Sequence, residues 1–118
     1  MELWVRIWNW GDVCFGSTIN TNKQERSYRF LEEALELVQA VGTSKEDAHK
    51  MVDYVYGRPV GSLTQEIGGV GITLHLLVWA LRQDLNYLTE VELQRCWERI
   101  DKIRAKQLAK PIRVNTEA

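Results

Sequence analysis

Apolar positions recur at helical spacing along most of this chain. Within 23–41, Leu31, Ala34, Leu35 and Val38 share one face at about 100° per residue. Leu37 and Ala40 lie on the other side and flank Glu33 and Glu36, while Glu32 and Gln39 occupy a narrow polar sector. A helix that is apolar on more than one side predicts a segment covered from more than one direction. Ala48, Met51, Val52 and Val55 keep the same spacing in a shorter stretch. From Ile67 to Leu81 the chain is apolar apart from Thr73 and His75, and it contains Gly68, Gly69 and Gly71. That run falls short of the roughly 20 residues of a membrane span, so it predicts a buried core helix. A last stripe comprises Leu93, Trp97, Ile100 and, at its edge, Ile103.

Start and stop signals delimit these elements. Asn22-Lys23-Gln24-Glu25 has the spacing of a capping box and opens the helix at about Lys23; Gly42 is a natural residue to end it. Thr43–Glu46 forms a second box, and Gly57-Arg58-Pro59 ends the helix that follows. Ser62 and Gln65 form a third cap, which starts a helix reaching about Arg82. Gln83–Leu88 reads as a polar break, Thr89–Glu92 caps the last helix, and Pro111 stops it. Met1–Trp10, with Trp4, Trp8 and Trp10, suits a short helix or, through Leu3, Val5 and Ile7, a strand. Periodicity leaves both open. Gly11, Asp12, Gly16, Ser17 and Asn20 mark a loop through residue 22. The expected fold is all-α, a four-to-five-helix bundle in one domain over 1–118. Its parts are an aromatic N-terminal segment and loop at 1–22, a helical core at 23–110 and a tail at 111–118.

Composition narrows the function classes. At 118 residues the chain makes one domain, and a net charge of −1 gives no broad attraction to nucleic acid or to a membrane surface. Cys14 and Cys96 lie far apart without a Cys/His cluster, which argues for reduced thiols rather than zinc or a disulfide framework. No secretory or transit segment is visible at the N-terminus, so a cytoplasmic location is expected.

The candidate chemistry lies in the acidic run Glu32-Glu33-Ala34-Leu35-Glu36 and in Glu66 at the start of another helix. Residues three and four apart share a helix face, so Glu33 or Glu32 can converge with Glu36. Two inward carboxylates on adjacent turns need a cation, a basic partner or water. Glu33, Glu36 and Glu66 would supply hard oxygen ligands of the kind that Mg²⁺ or Mn²⁺ takes while keeping waters and substrate phosphates. The competing reading is a solvated acidic face.

Four stretches in order, RFLEEALELVQA, YVYGRPVG, QEIGGVGITL and ERIDKIRAKQ, resemble the MazG-like branch of the all-α nucleoside triphosphate pyrophosphohydrolases. They are most similar to its small phage and prophage-borne members, over about Cys14 to Pro111. The resemblance implies an Mg²⁺-dependent hydrolase that cleaves a (d)NTP to (d)NMP and pyrophosphate, assembled as a homodimer or a dimer of dimers, in the host cytoplasm if phage-encoded. The family's EExxE falls on Glu32, Glu33 and Glu36, with Glu33 and Glu36 as metal ligands. Its ExxD falls on Glu66 and position 69, where this chain has Gly. A water, Glu32 or Asp101 could fill that place, and Asp101 with Arg104 is the nearest equivalent of a further acidic-basic pair on the last helix. Glu32 is the candidate for orienting the attacking water. Lys102, Arg104 and Lys106, in the acid-free cationic stretch 102–113, are candidates for the triphosphate, although cations there also complement the helix dipole. The alternative is a catalytically weak bundle that senses nucleotides or binds a host protein, and Gly69 favours it.

Other residues have plainer readings. Gly68-Gly69-x-Gly71 has neither the preceding strand nor the following Lys-Ser/Thr of a phosphate-binding loop, so close helix packing is expected there. His75 is expected to be a buried, hydrogen-bonded core residue. Trp79 and Trp97 are placed on core stripes, which leaves Trp4, Trp8 and Trp10 as base-stacking or interface candidates.

Overall fold

The computed structural model describes residues 1–114, so the tail expected at 111–118 is described only as far as Val114. These residues form α1 (Leu3–Phe15), α2 (Ser17–Asn20), α3 (Lys23–Val41), α4 (Lys45–Tyr56), α5 (Leu63–Ala80), α6 (Leu85–Glu98) and α7 (Ile100–Leu108). No strand occurs among the described residues, which makes the chain all-α. It divides into two compact units. The first combines Met1–Glu33 with the chain from Tyr87 onward, and the second is Ala34–Asn86.

In the first unit, the N-terminal aromatic segment is helical and runs well past Trp10. The loop expected at residues 11–22 is corrected to the end of α1 followed by α2. Gly11 and Asp12 looked like chain breakers, but here they serve a close contact. Asn20, 4% exposed, donates from Nδ2 to Trp8 O at 3.2 Å and to Asp12 Oδ1 at 2.8 Å. A Cβ at Gly11 would lie 2.3 Å from Asn20 Oδ1, so only glycine lets α1 and α2 approach this closely. The turn between them is Gly16, in the left-handed region at φ 82°.

Asn22 caps α3 as its spacing predicts, accepting the Glu25 N–H at 3.0 Å. The Glu25 carboxylate does not turn back to complete the box but is fully buried, as described below. At the other end, the Thr43 N–H reaches back to Val38 O at 2.9 Å around Gly42, whose φ is 114°.

In the second unit, Ser44 rather than Thr43 caps α4, with its hydroxyl accepting the Asp47 N–H at 3.0 Å. Ser62 stands at the N-cap of α5 but makes no side-chain bond to the backbone there. The helix ends at Ala80, and Arg82 takes a left-handed conformation at φ 57°. The polar break is shorter than expected. α6 begins at Leu85, directly after Asp84, so Thr89–Glu92 lies inside the helix instead of opening it. The last stripe is split at Arg99, where φ −123° and ψ 23° interrupt the helix. With α1 and α2 added, the expected four to five helices become seven among the described residues.

Burial separates the units. Gly11, Cys14, Asn20, Glu25 and Leu93 are buried in the first, whereas no residue of Ala34–Asn86 is buried in this chain. The buried core helix expected at 67–81 is therefore corrected. Ile67 is 66% exposed, Ile72 65%, Leu76 63% and Trp79 81%. Trp97, also placed in the core, is 40% exposed. His75 is exposed too, although its Nδ1 lies 2.6 Å from Gly71 O. An apolar sequence states that a face must be covered, not which chain covers it. No helix among the described residues is long and apolar enough to cross a membrane.

Candidate acidic site

The carboxylates of α3 have different surroundings. Glu25 accepts a hydrogen bond from Gln107 Nε2 and another from the Val114 N–H at 2.7 Å, and Arg29 Nε lies 3.3 Å away. A fully buried carboxylate is tolerated because donors satisfy both oxygens. Glu32, half-buried, is held by Lys110 Nζ at 2.7 Å and by Arg29 Nη1 at 3.5 Å. Arg29 Nη2 also donates to Ile112 O. Residues 110–114 are thus fastened along the first turns of α3. Glu32, the candidate for orienting water, sits between two cations. Glu33 is exposed at the end of this unit.

Arg104 donates from Nε to Cys14 O and from Nη2 to Val13 O, both at 2.8 Å. These carbonyls belong to the last turn of α1, which has no helical donors left for them, and a cation there also complements the helix dipole. Lys102 and Lys106 stand four residues apart on α7, exposed and without an ion pair among the described residues. Asp101 is exposed in the first turn of that helix. Cys14 and Cys96 are free thiols, each pushed upward in pKa chiefly by burial. A cavity of about 260 Å³ lies between α1 and α6, lined by Arg6, Asn9, Glu90, Leu93, Gln94 and Trp97. Arg6 and Glu90 neutralise one another at its edge, with Nη1 to Oε2 at 2.8 Å.

In the second unit Glu36 and Glu66 are both exposed and form no side-chain hydrogen bond or ion pair among the described residues. Glu66 stands in the first turn of α5, where the helix dipole favours a carboxylate. Its side chain folds over Gly61, where an added Cβ would meet Oε1 at 2.8 Å. Arg58 of the same unit lies with Cζ 4.2 Å above the Tyr54 ring, a cation fixed by an aromatic face rather than by a carboxylate. In the sequence Arg58 stands only as part of a helix stop; the signal for this stacking is Tyr54 four residues upstream, near the end of α4.

Among the described residues no three His, Cys, Asp or Glu side chains gather closely enough to hold a metal ion. Of the expected ligands, Glu33 and Asp101 belong to the first unit and Glu36 and Glu66 to the second. Comparison with protein-family models, curated proteins and solved structures returned no match.

Proposed function

We propose that the chain is a MazG-like nucleoside triphosphate pyrophosphohydrolase that cleaves a (d)NTP to (d)NMP and pyrophosphate. Mg²⁺ is its cofactor, Mn²⁺ a substitute, and the cytoplasm its site of action as a homo-oligomer. The ordered resemblance of four stretches supports this reading, and one observation carries it: Glu36 and Glu66 are left bare while Glu25 and Glu32 on α3 are neutralised by basic or hydrogen-bonding partners. Uncompensated carboxylates are where a hard cation is most strongly favoured. The reaction adds water oxygen to phosphorus, breaks the bond to the pyrophosphate oxygen and leaves negative charge on the product. Lys102 and Lys106, exposed on α7 without an ion pair among the described residues, are cations suited to that charge.

The test is pyrophosphate release from the eight common NTPs and dNTPs, with Mg²⁺ or Mn²⁺, for the parent chain and for Glu36→Gln and Glu66→Gln. Divalent-dependent turnover that falls at least about 100-fold in each variant is expected, since each loses a charged ligand. No turnover with nucleotide binding intact would shift the reading to a catalytically weak nucleotide sensor. The pairing of Glu32 with Lys110 and Arg29 already favours that second reading. Calorimetry that detects neither Mg²⁺ nor nucleotide binding would remove both.

A further inference from the structure

Two side chains of the first unit bury hydrogen-bond donors from which no group of the chain accepts. They are Nε and Nη2 of Arg26 and Nε1 of Trp10. Both side chains pack on one ring. The Arg26 guanidinium carbon lies 4.9 Å from the centroid of Phe15, and the Trp10 ring meets Phe15 edge-on, with 5.5 Å between centroids and 83° between planes. Arg29 Nε is also buried without a hydrogen bond, but Glu25 Oε1 lies 3.3 Å away and compensates its charge. Arg26 forms no ion pair among the described residues.

The carboxylates that could compensate Arg26 are already committed. Glu25 serves Gln107, the Val114 N–H and Arg29, and Glu32 serves Lys110 and Arg29. Burial is the main influence that lowers the Arg26 pKa; Glu25 opposes it and the like charge of Arg29 adds to it. A guanidinium nevertheless keeps its proton at neutral pH, so the unit carries a positive charge whose buried edge is unpaired, a costly arrangement. That edge has a defined shape. Nε and Nη2 lie side by side, and their N–H bonds form the fork that meets two oxygens of a carboxylate or a phosphate. A water molecule accepts from such an edge without neutralising it, whereas an oxyanion does both.

We infer that Arg26 and Trp10 form a binding site for a small oxyanion, a carboxylate or a phosphate group, whose oxygens take the Nε–Nη2 edge of Arg26 while the Trp10 indole supplies a further donor around the same Phe15 ring. Arg26, Trp10 and Phe15 are each partly exposed, so the ligand enters from the surface. The site shares no residue with the hydrolase reading, whose ligands are Glu33, Glu36, Glu66 and Asp101 and whose phosphate contacts are Lys102 and Lys106. It needs neither a divalent ion nor a nucleotide.

Nuclear magnetic resonance of the full chain tests it, by titration with inorganic phosphate and, separately, with acetate, each against chloride at equal ionic strength. The Arg26 Nε–H and Trp10 Nε1–H signals are expected to move together and saturate with at least one oxyanion and not with chloride. Saturation by phosphate alone assigns a phosphate group, and saturation by acetate alone a carboxylate. Arg26→Gln should weaken this binding at least about 10-fold, because a charged, two-pronged contact is lost. Arg26→Lys, which keeps the charge without the fork, should fall between the two. The parent titration decides the matter even if Arg26→Gln does not fold. Signals that respond to neither oxyanion, or that respond equally to chloride, overturn the site, as does an Arg26→Gln chain that binds as tightly as the parent.

Discussion

The two units solve the same problem in opposite ways. Met1–Glu33, with the chain from Tyr87 onward, closes upon itself around few apolar side chains and many satisfied polar ones. Glu25, Asn20, Arg104 and the end of α1 all find partners within the unit. Ala34–Asn86 carries the long apolar run at 67–81 yet has no fully buried residue. Hydrophobicity and self-sufficiency are separate properties of a chain, and here they fall on different units.

The largest effect that should expose this contrast is in the first unit. Replacing Glu25 by Ala strands the Gln107 amide and the Val114 N–H and takes from Arg29 one of its carboxylate neighbours. Removing one partner of a buried charged network costs about 3 kcal/mol, which urea denaturation would read as an earlier midpoint. A loss below about 1 kcal/mol would mean that the network is not what closes the unit.

A pair of identical substitutions sharpens the comparison further. Gly11→Ala drives a methyl group into Asn20, and overpacking of this kind costs roughly 1–3 kcal/mol. Gly71→Ala meets no atom and gains helix propensity, so it should stabilise the chain by about 0.5–1 kcal/mol. Thermal melts of the two variants should therefore shift in opposite directions. Equal shifts would erase the distinction between a self-contained unit and an open one.

The smallest effect concerns Arg6 and Glu90. The hydrogen bond from Arg6 holds the Glu90 carboxyl below its ordinary 4.5. A lowered folded-state pKa stabilises above the unfolded value and loses that contribution as pH falls through the folded one. Both side chains are well exposed, so screening keeps the effect modest. From pH 6 down through 4.5 and below, the parent chain should lose slightly more stability than Glu90→Gln. Parallel curves would show that the pair contributes nothing.

The sequence disclosed the helices wherever local chemistry decides them. Asn22 and Gly42 mark true ends because capping and left-handed turns depend on neighbours in the chain, and Ser62 stands at the start of α5 although its side chain makes no cap. It misread Gly11, whose reason is Asn20 across a turn, and Asp84, which stands at the start of α6 where a loop was expected. It also took α5 for a core, since a stripe such as Ile72, Leu76 and Trp79 is written the same way whether its cover is the same chain or another. For the candidate site, spacing brought Glu32, Glu33 and Glu36 onto one helix. It could not show that Lys110, 78 residues away, would claim Glu32.

Glu25 also imposes an order of events on synthesis. Its donors lie at residues 107 and 114, so the first unit cannot close until the chain has emerged from the ribosome at least through Val114. By then α5 has already emerged with its apolar stripe uncovered.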